Sequence, residues 1–161
     1  MREKLSFLVS YINEQRRILE NIVEKVSHNL SNFNLEDEKT TVFLSYELHN
    51  FYSGMEDLFK EVAKIFENYV EDVQKFHMEL LKRMKLSIEG VRPNLISETS
   101  FKFLNELRKF RHIFRHAYDY ELDAKRVKEL SQLLLDNFPL IKSDLSQFEA
   151  FIKSKLHSIL K

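Results

Sequence analysis

The scarcity of turn-forming residues is the feature that most limits how this chain can fold. Among its 161 residues there are two glycines and two prolines, whereas an average protein contains about 7% glycine and about 5% proline. A fold with many strands needs a turn roughly every 8–12 residues, and such turns are rich in these residue types. The composition therefore predicts long helices with few connections, in a single domain that spans residues 1–161.

Apolar residues recur at spacings of three, four and seven, which is typical of amphipathic helices. The first 30 residues predict one helix, although position 16, where the apolar stripe should continue, is an arginine. Further helices are predicted over four segments, from about Thr40 to Tyr69, from about Val70 to Ile88, from Glu98 to about Tyr118 and from Asp123 to Lys161. We therefore expect an all-α, antiparallel up-and-down bundle of four to five helices.

Four residues predict local details of these helices. Ser97 and Asp123 should cap the fourth and the last helix through their side-chain oxygens. Pro139 should kink or break the last helix because it lacks an amide proton. Gly54 lies inside the second helix, where it predicts the close approach of a neighbouring backbone.

Composition excludes several classes of protein. The chain has no cysteine, which excludes disulfides, thiol catalysis and thiolate metal sites. No segment approaches the roughly 18 uncharged apolar residues that a membrane span needs. The first residues carry Glu3 and predict an amphipathic helix, not a signal peptide. We therefore expect a cytoplasmic protein without membrane contact.

Charge is balanced overall but not locally. Lysine plus arginine and aspartate plus glutamate number 25 each, so the net charge gives no support to nucleic-acid binding. Between residues 102 and 116, however, Glu106 is the one acidic residue among several lysines and arginines. The positive charge is therefore concentrated toward the end of the fourth predicted helix.

Arg111, His116 and Tyr118 form the pattern that could carry chemistry. At about 100° per residue, Arg111 and Tyr118 share one stripe of the helix, whereas His116 points about 140° away from Arg111. One helix of this kind makes a poor pocket, but two copies about a two-fold axis could converge on one cleft. The alternative is that these cations are solvated or capping groups at a helix end, where the helix dipole favours positive charge.

Three segments resemble the HepT-like members of the HEPN superfamily. The segment LRKFRHIFRHAYDYEL, residues 107–122, resembles the family's motif region. Residues 50–59 (NFYSGMEDLF) and 77–84 (HMELLKRM) resemble its second and third helices in the right order, and Arg92, Pro93 and the loop to Ser97 also fit. The resemblance covers roughly residues 40 to 130.

This resemblance implies a HEPN-like homodimer that acts as the toxin of a type VII (HEPN/MNT) toxin–antitoxin system. The implied activity is that of a metal-independent endoribonuclease, and the implied partner is an MNT-type nucleotidyltransferase antitoxin. It implies that Arg111 and His116 form the active site across the dimer and that His112 assists them. It also implies that Tyr118 accepts AMP from the antitoxin. No cofactor is expected.

The implied roles are chemically coherent. Cleavage of RNA without a metal ion needs a base for the 2′-hydroxyl, an acid for the leaving 5′-oxygen and a cation for the phosphorane. An imidazole can transfer either proton near neutral pH, and arginine binds phosphate oxygens bidentately. We assign His116 to proton transfer and Arg111 to the phosphate. His112 is a second candidate proton donor or merely lines the cleft.

The remaining candidates are weaker. Arg108 and Arg115 could contact RNA phosphates, although Arg115 could equally pair with Asp119 at the i+4 position. We interpret His77 as structural. The other histidines show no metal-ligand spacing, namely His28, His49 and His157.

Two functions stay open on this basis, and a purely structural helical bundle is a less favoured third. The first is an RNA-cleaving toxin that a nucleotidyltransferase silences. The second is a non-catalytic HEPN-like helical dimer that binds the nucleotidyltransferase or presents substrate to it. The complete set of Arg111, His116 and Tyr118 favours the toxin, whereas the balanced overall charge favours the binding module.

Overall fold

The computed structural model describes residues 1–68, 76–117 and 121–159. The elements named in these ranges are five α-helices: α1 (Arg2–Leu30), α2 (Glu38–Glu67), α3 (Phe76–Met84), α4 (Glu98–Arg115) and α5 (Ala124–Ile159). The predicted all-α bundle is confirmed. None of the described helices combines the length and the apolar character needed to cross a membrane.

Helix α2 is the centre of the bundle and contacts the four other described helices. It is antiparallel to α4, because Glu56 pairs with Arg111 while the earlier residue His49 lies against the later residue Phe114. The beginning of α2 therefore lies beside the end of α4. This is the end of the bundle to which the sequence assigns the candidate site.

The core forms where the apolar faces of the helices meet around α2. Its largest fully buried side chains are Tyr52, Phe51, Phe59 and Phe148. Burial of each large apolar side chain stabilises the fold by roughly 1.5–3 kcal/mol before entropy is counted. Arg16, the polar interruption of the first apolar stripe, binds Glu149 on α5 with its Nη2 at 2.9 Å from the carboxylate. An ion pair between α1 and α5 thus takes the place of an apolar contact.

Predicted capping residues occupy the ends of two helices. Ser97 Oγ accepts a hydrogen bond from the Ser100 amide at 3.3 Å, and Asp144 of α5 accepts hydrogen bonds from the Ser97 amide and the hydroxyls of both serines. Asp123 Oδ1 accepts hydrogen bonds from the amides of residues 125 and 126. Both predicted caps are confirmed, because each side chain satisfies amides that have no partner inside their helix.

Several predicted helix boundaries were wrong by a few residues. Helix α2 begins at Glu38, before Thr40, because Asp37 caps it through the Thr40 amide. Helix α3 ends at Met84, before Ile88, because the Met84 carbonyl accepts amides from the returning chain instead of continuing the helix. Residues 69–75, which include the predicted junction between these helices, lie outside the described residues.

Helices α4 and α5 also differ from the prediction. Helix α4 ends at Arg115, because His116 leaves helical geometry with φ −113° and ψ 14°. Helix α5 continues through Pro139, so the chain is not broken there, and a kink stays a prediction. A proline inside a helix costs about 3 kcal/mol, and the packing of α5 against α1, α2 and α4 offsets that cost.

Gly54 is tightly packed, but by a side chain and not by a backbone. A Cβ atom at this position would lie 3.3 Å from Leu19 Cδ2 of α1. The Gly54 carbonyl also accepts a hydrogen bond from Gln15 Nε2 at 3.3 Å. The predicted close approach is therefore made by side chains of α1.

Candidate active site

Arg111 lies in the groove between α2 and α4. Its side chain is 15% exposed, and its Nη1 lies 3.5 Å from Glu56 Oε2. The guanidinium carbon is 5.7 Å from the centre of the Tyr52 ring, which allows a cation–π contact. Its Nε atom is buried without a hydrogen-bond partner in the described part of the chain. Arg111 is therefore oriented by α2 and keeps unused hydrogen-bonding capacity.

Glu56 collects three cationic or titratable groups around one buried carboxylate. Its side chain is 2% exposed, and its Oε2 atom lies 2.7 Å from His77 Nδ1 of α3 and 3.5 Å from Arg111 Nη1 of α4. Lys60, one turn later on α2, lies 3.4 Å from Oε1. We call Glu56, Lys60, His77 and Arg111 the Glu56 cluster. A buried carboxylate needs such partners, because its desolvation costs several kcal/mol.

His112 and His116 lie together on the exposed side of α4. Their ring centres are 4.7 Å apart. His116 Nδ1 lies 2.8 Å from the His112 carbonyl oxygen, which can only accept, so Nδ1 is the donor. In the neutral ring this leaves the lone pair on Nε2, the nitrogen suited to accept a proton.

The structure brings the two histidines together, but it does not bring Arg111 to them. Arg111 packs against α2, whereas His112 and His116 are exposed. Within the described residues no hydrogen bond or ring contact joins Arg111 to either imidazole. This agrees with the separation around the helix that the sequence predicts. Tyr118 lies outside the described residues.

The two weaker phosphate candidates lie on either side of Arg111 along α4. Arg108 Nε donates to Asn105 Oδ1 at 3.1 Å on the same helix. Arg115 is exposed to solvent. Its predicted partner Asp119 is outside the described residues, so that pairing stays a prediction.

His49 is a neighbour of the site that the sequence pattern does not single out. Its ring packs against Phe114 with the centres 5.4 Å apart, and its Nδ1 atom is buried without a hydrogen-bond partner in the described residues. Burial lowers the pKa of His49, and the positive charges of Arg111 and Arg115 lower it further. A neutral imidazole therefore faces α4 at the end of the groove.

Tyr52 also belongs to the site and was missed at the level of sequence. Its hydroxyl is buried and has no hydrogen-bond partner among the described residues. Burial raises the pKa of Tyr52, and the negative charge of Glu56 adds to this effect. The residue is thus a neutral phenol at any physiological pH, and its ring supports the Arg111 guanidinium.

The arrangement suits an anion more than a metal ion. In the described part of the chain no group of three or more histidine or acidic side chains could hold a metal. Arg111 shares the Glu56 carboxylate with Lys60 and His77, and Lys60 also lies 3.5 Å from Asp57. The partly unpaired guanidinium of Arg111 is the group that suits a phosphate. Two exposed imidazoles lie at the end of α4, and imidazole is a side chain that can both accept and donate a proton.

Comparison with known proteins adds one finding. The model of the family described as "HepT-like protein" matches residues 43–152, which is more than half of the chain and includes the whole Glu56 cluster. The match extends further into α5 than the segments that carry the resemblance in the sequence. No curated protein and no solved structure matches the chain. The chain therefore belongs to the HepT-like family of the HEPN superfamily.

Proposed function

We propose that the chain is the toxin of a type VII (HEPN/MNT) toxin–antitoxin system and acts as a metal-independent endoribonuclease. Membership of the HepT-like family supports this proposal, because that family is associated with toxin–antitoxin systems. The single observation that carries it is the placement of Arg111. Its guanidinium is oriented by Glu56 and Tyr52 but is not saturated by them, as a phosphate-binding arginine requires.

In the proposed reaction Arg111 binds the scissile phosphate and stabilises the charge of the phosphorane. His116 transfers a proton through Nε2, since its Nδ1 is held by the His112 carbonyl. His112 lies beside His116 and is the second candidate for proton transfer. These groups perform cleavage by the 2′-hydroxyl without a metal ion.

We further propose that two copies form the site together. Apolar side chains stay exposed on α4 and at the beginning of α2, namely Ile113 (50% exposed), Tyr46 (52%) and Val42 (47%). Ile113 lies between His112 and His116 in the sequence, so a second copy that covers it contacts both histidines. A two-fold arrangement then supplies His116 of one protomer to Arg111 of the other.

One observation favours the alternative of a non-catalytic module. Arg111 is mostly buried and already lies 3.5 Å from a carboxylate, as an arginine with a structural role does. Such a module binds a nucleotidyltransferase or presents substrate to it, and it cleaves no RNA. Both alternatives use the same helical dimer, so activity decides between them.

The deciding experiment is RNA cleavage by the purified protein and by His116→Ala. We expect the wild type to leave 2′,3′-cyclic phosphate and 5′-hydroxyl ends, and the variant to be slower by about 10²–10⁴-fold, the usual effect of losing a proton-transfer residue. The substitution should barely affect the melting temperature, since His116 is exposed.

Two controls accompany this measurement. His157→Ala removes an exposed histidine that also bonds a carbonyl of its own helix, and it should leave cleavage unchanged. EDTA should likewise have no effect. If EDTA stops cleavage, the metal-independent mechanism is wrong, and if the wild type cleaves no RNA, the non-catalytic module is the better proposal.

An MNT-type nucleotidyltransferase is the proposed antitoxin, and Tyr118 is the proposed acceptor of AMP. The phenolic oxygen attacks the α-phosphorus of ATP and loses its proton, and pyrophosphate leaves. The added group is bulky and anionic and follows the end of α4, so it opposes RNA phosphates in both charge and volume.

Mass mapping after incubation with the nucleotidyltransferase and ATP tests this assignment. We expect the AMP mass on the peptide at Tyr118 and none in Tyr118→Phe, which should stay active in the presence of the antitoxin. Tyr120→Phe is the matched control and should still be modified. AMP found at Tyr120 alone contradicts the assignment.

A further inference from the structure

His77 and Arg111 are held by the same atom. Oxygen Oε2 of the buried Glu56 lies 2.7 Å from His77 Nδ1 and 3.5 Å from Arg111 Nη1. The imidazole of α3 and the guanidinium of α4 are therefore immediate neighbours within one protomer. The proposed reaction so far uses only the guanidinium.

Glu56 also selects the tautomer of His77. A carboxylate only accepts hydrogen bonds, so Nδ1 of His77 donates to it and the lone pair of the neutral ring is on Nε2. This is the arrangement by which a buried acid orients a catalytic histidine in hydrolases. The side chain of His77 is 31% exposed, and Nε2 has no hydrogen-bond partner in the described part of the chain.

We propose that His77 is the general base of RNA cleavage and that Glu56 is its positioning residue. This inference rests on the proposed ribonuclease function. His77 Nε2 takes the proton of the 2′-hydroxyl, and the 2′-oxygen forms a bond to phosphorus. The bond from phosphorus to the 5′-oxygen breaks, and that oxygen takes a proton from His116. Exchange with water then returns both imidazoles to their starting states.

The charges around His77 fit this role. Glu56 contacts His77 from α2, and Lys60 of α2 and Arg111 of α4 bind the same carboxylate. Lys60 also pairs with Asp57 of α2 at 3.5 Å. The carboxylate stabilises the imidazolium that forms when His77 takes a proton, and the neighbouring Arg111 binds the phosphate. His49, the other partly buried imidazole nearby, has no carboxylate partner among the described residues, and its buried Nδ1 is unpaired.

The proposed site takes its reactive groups from both protomers of the dimer. Arg111 and His77 come from the same protomer because Glu56 joins them, whereas His116 comes from the partner in the proposed dimer. Mixed dimers of inactive variants can therefore show whether two groups come from the same protomer or from different protomers. The starting variants are Arg111→Ala, His116→Ala and His77→Gln, in which the glutamine amide can still donate to Glu56 but cannot transfer a proton.

Cleavage by dimers that are re-formed from two inactive variants is the test. Arg111→Ala mixed with His116→Ala should recover about one quarter of wild-type activity, because half of the dimers then carry one intact site of two. Arg111→Ala mixed with His77→Gln should recover none, because no protomer carries both groups. Recovery of cleavage by the mixture of Arg111→Ala and His77→Gln overturns the proposal that Arg111 and His77 act from the same protomer.

Alone, His77→Gln should cleave about 10²–10⁴-fold more slowly, and the acidic limb of its pH profile for kcat/KM should flatten. The melting temperatures of His77→Gln and of the control His157→Gln, each compared with that of the wild type, show whether folding is retained. A folded His77→Gln protein with wild-type cleavage overturns the role of His77 and leaves the ribonuclease proposal intact. A wild type that cleaves no RNA overturns both.

Discussion

Arg111→Ala should lower kcat/KM for RNA cleavage by about 10²–10³-fold, the usual loss when one preorganised charge-stabilising group is removed. The free energy of unfolding should change by only about 1 kcal/mol, because the buried Glu56 carboxylate keeps His77 and Lys60 as partners. Cleavage assays and thermal melts on the same preparation separate the two effects. A large loss of activity in a folded protein is the expected result.

Two further variants show whether the loss of activity is specific to the guanidinium group of Arg111. Arg111→Lys keeps the charge but cannot bind two phosphate oxygens in a planar fork, so it should stay well below the wild type. Arg17→Ala removes an exposed arginine of α1 that pairs with Glu14 of the same helix, and it should leave cleavage unchanged. Full activity in folded Arg111→Ala means that Arg111 has a structural role.

Arg92→Ala should be strongly destabilising, with a loss of about 3–5 kcal/mol. The Arg92 side chain is completely buried. It binds Glu67 at the end of α2 through Nε at 2.8 Å and through Nη2. It also donates to the carbonyl oxygen of Arg83 in α3 and to those of Leu86 and Pro93 in the loop that follows α3. Its removal leaves buried acceptors without partners.

Chemical denaturation measures this loss, with the urea midpoint as the readout. Arg92→Lys should recover little of the stability, because one compact ammonium group cannot reach all the acceptors that surround the planar guanidinium of Arg92. Arg17→Ala serves again as the control and should change stability by about 0.5 kcal/mol or less. A loss in Arg92→Ala no larger than in this control contradicts the role of Arg92.

Local pattern was sufficient for the helices and for two of their caps. Ser97 and Asp123 were predictable because a cap acts on amides two or three residues away. The end of α3 at Met84 and the continuity of α5 through Pro139 were not predictable, since both depend on contacts with distant parts of the chain. The helix propensity of a residue is a weak constraint where tertiary packing opposes it.

In the candidate site, too, some features are predictable from the sequence and others depend on tertiary contacts. Arg111 and His112 lie within α4 and His116 directly follows its last residue, so their approximate separation around the helix follows from local geometry. The partnership of His77 with Glu56 had no signal in the spacing, because the two residues lie on different helices and 21 positions apart. The sequence alone predicts a structural role for His77, and the structure adds its carboxylate partner.

The sequence by itself determined the helical class of this protein, the family to which it belongs and the order of the charged residues along α4, because these depend on short-range periodicity and local motifs. Only the tertiary structure decided that Glu56, His77 and Arg111 meet. A buried carboxylate must be surrounded by donors, and the helices that supply those donors approach each other only when α2, α3 and α4 pack into the bundle.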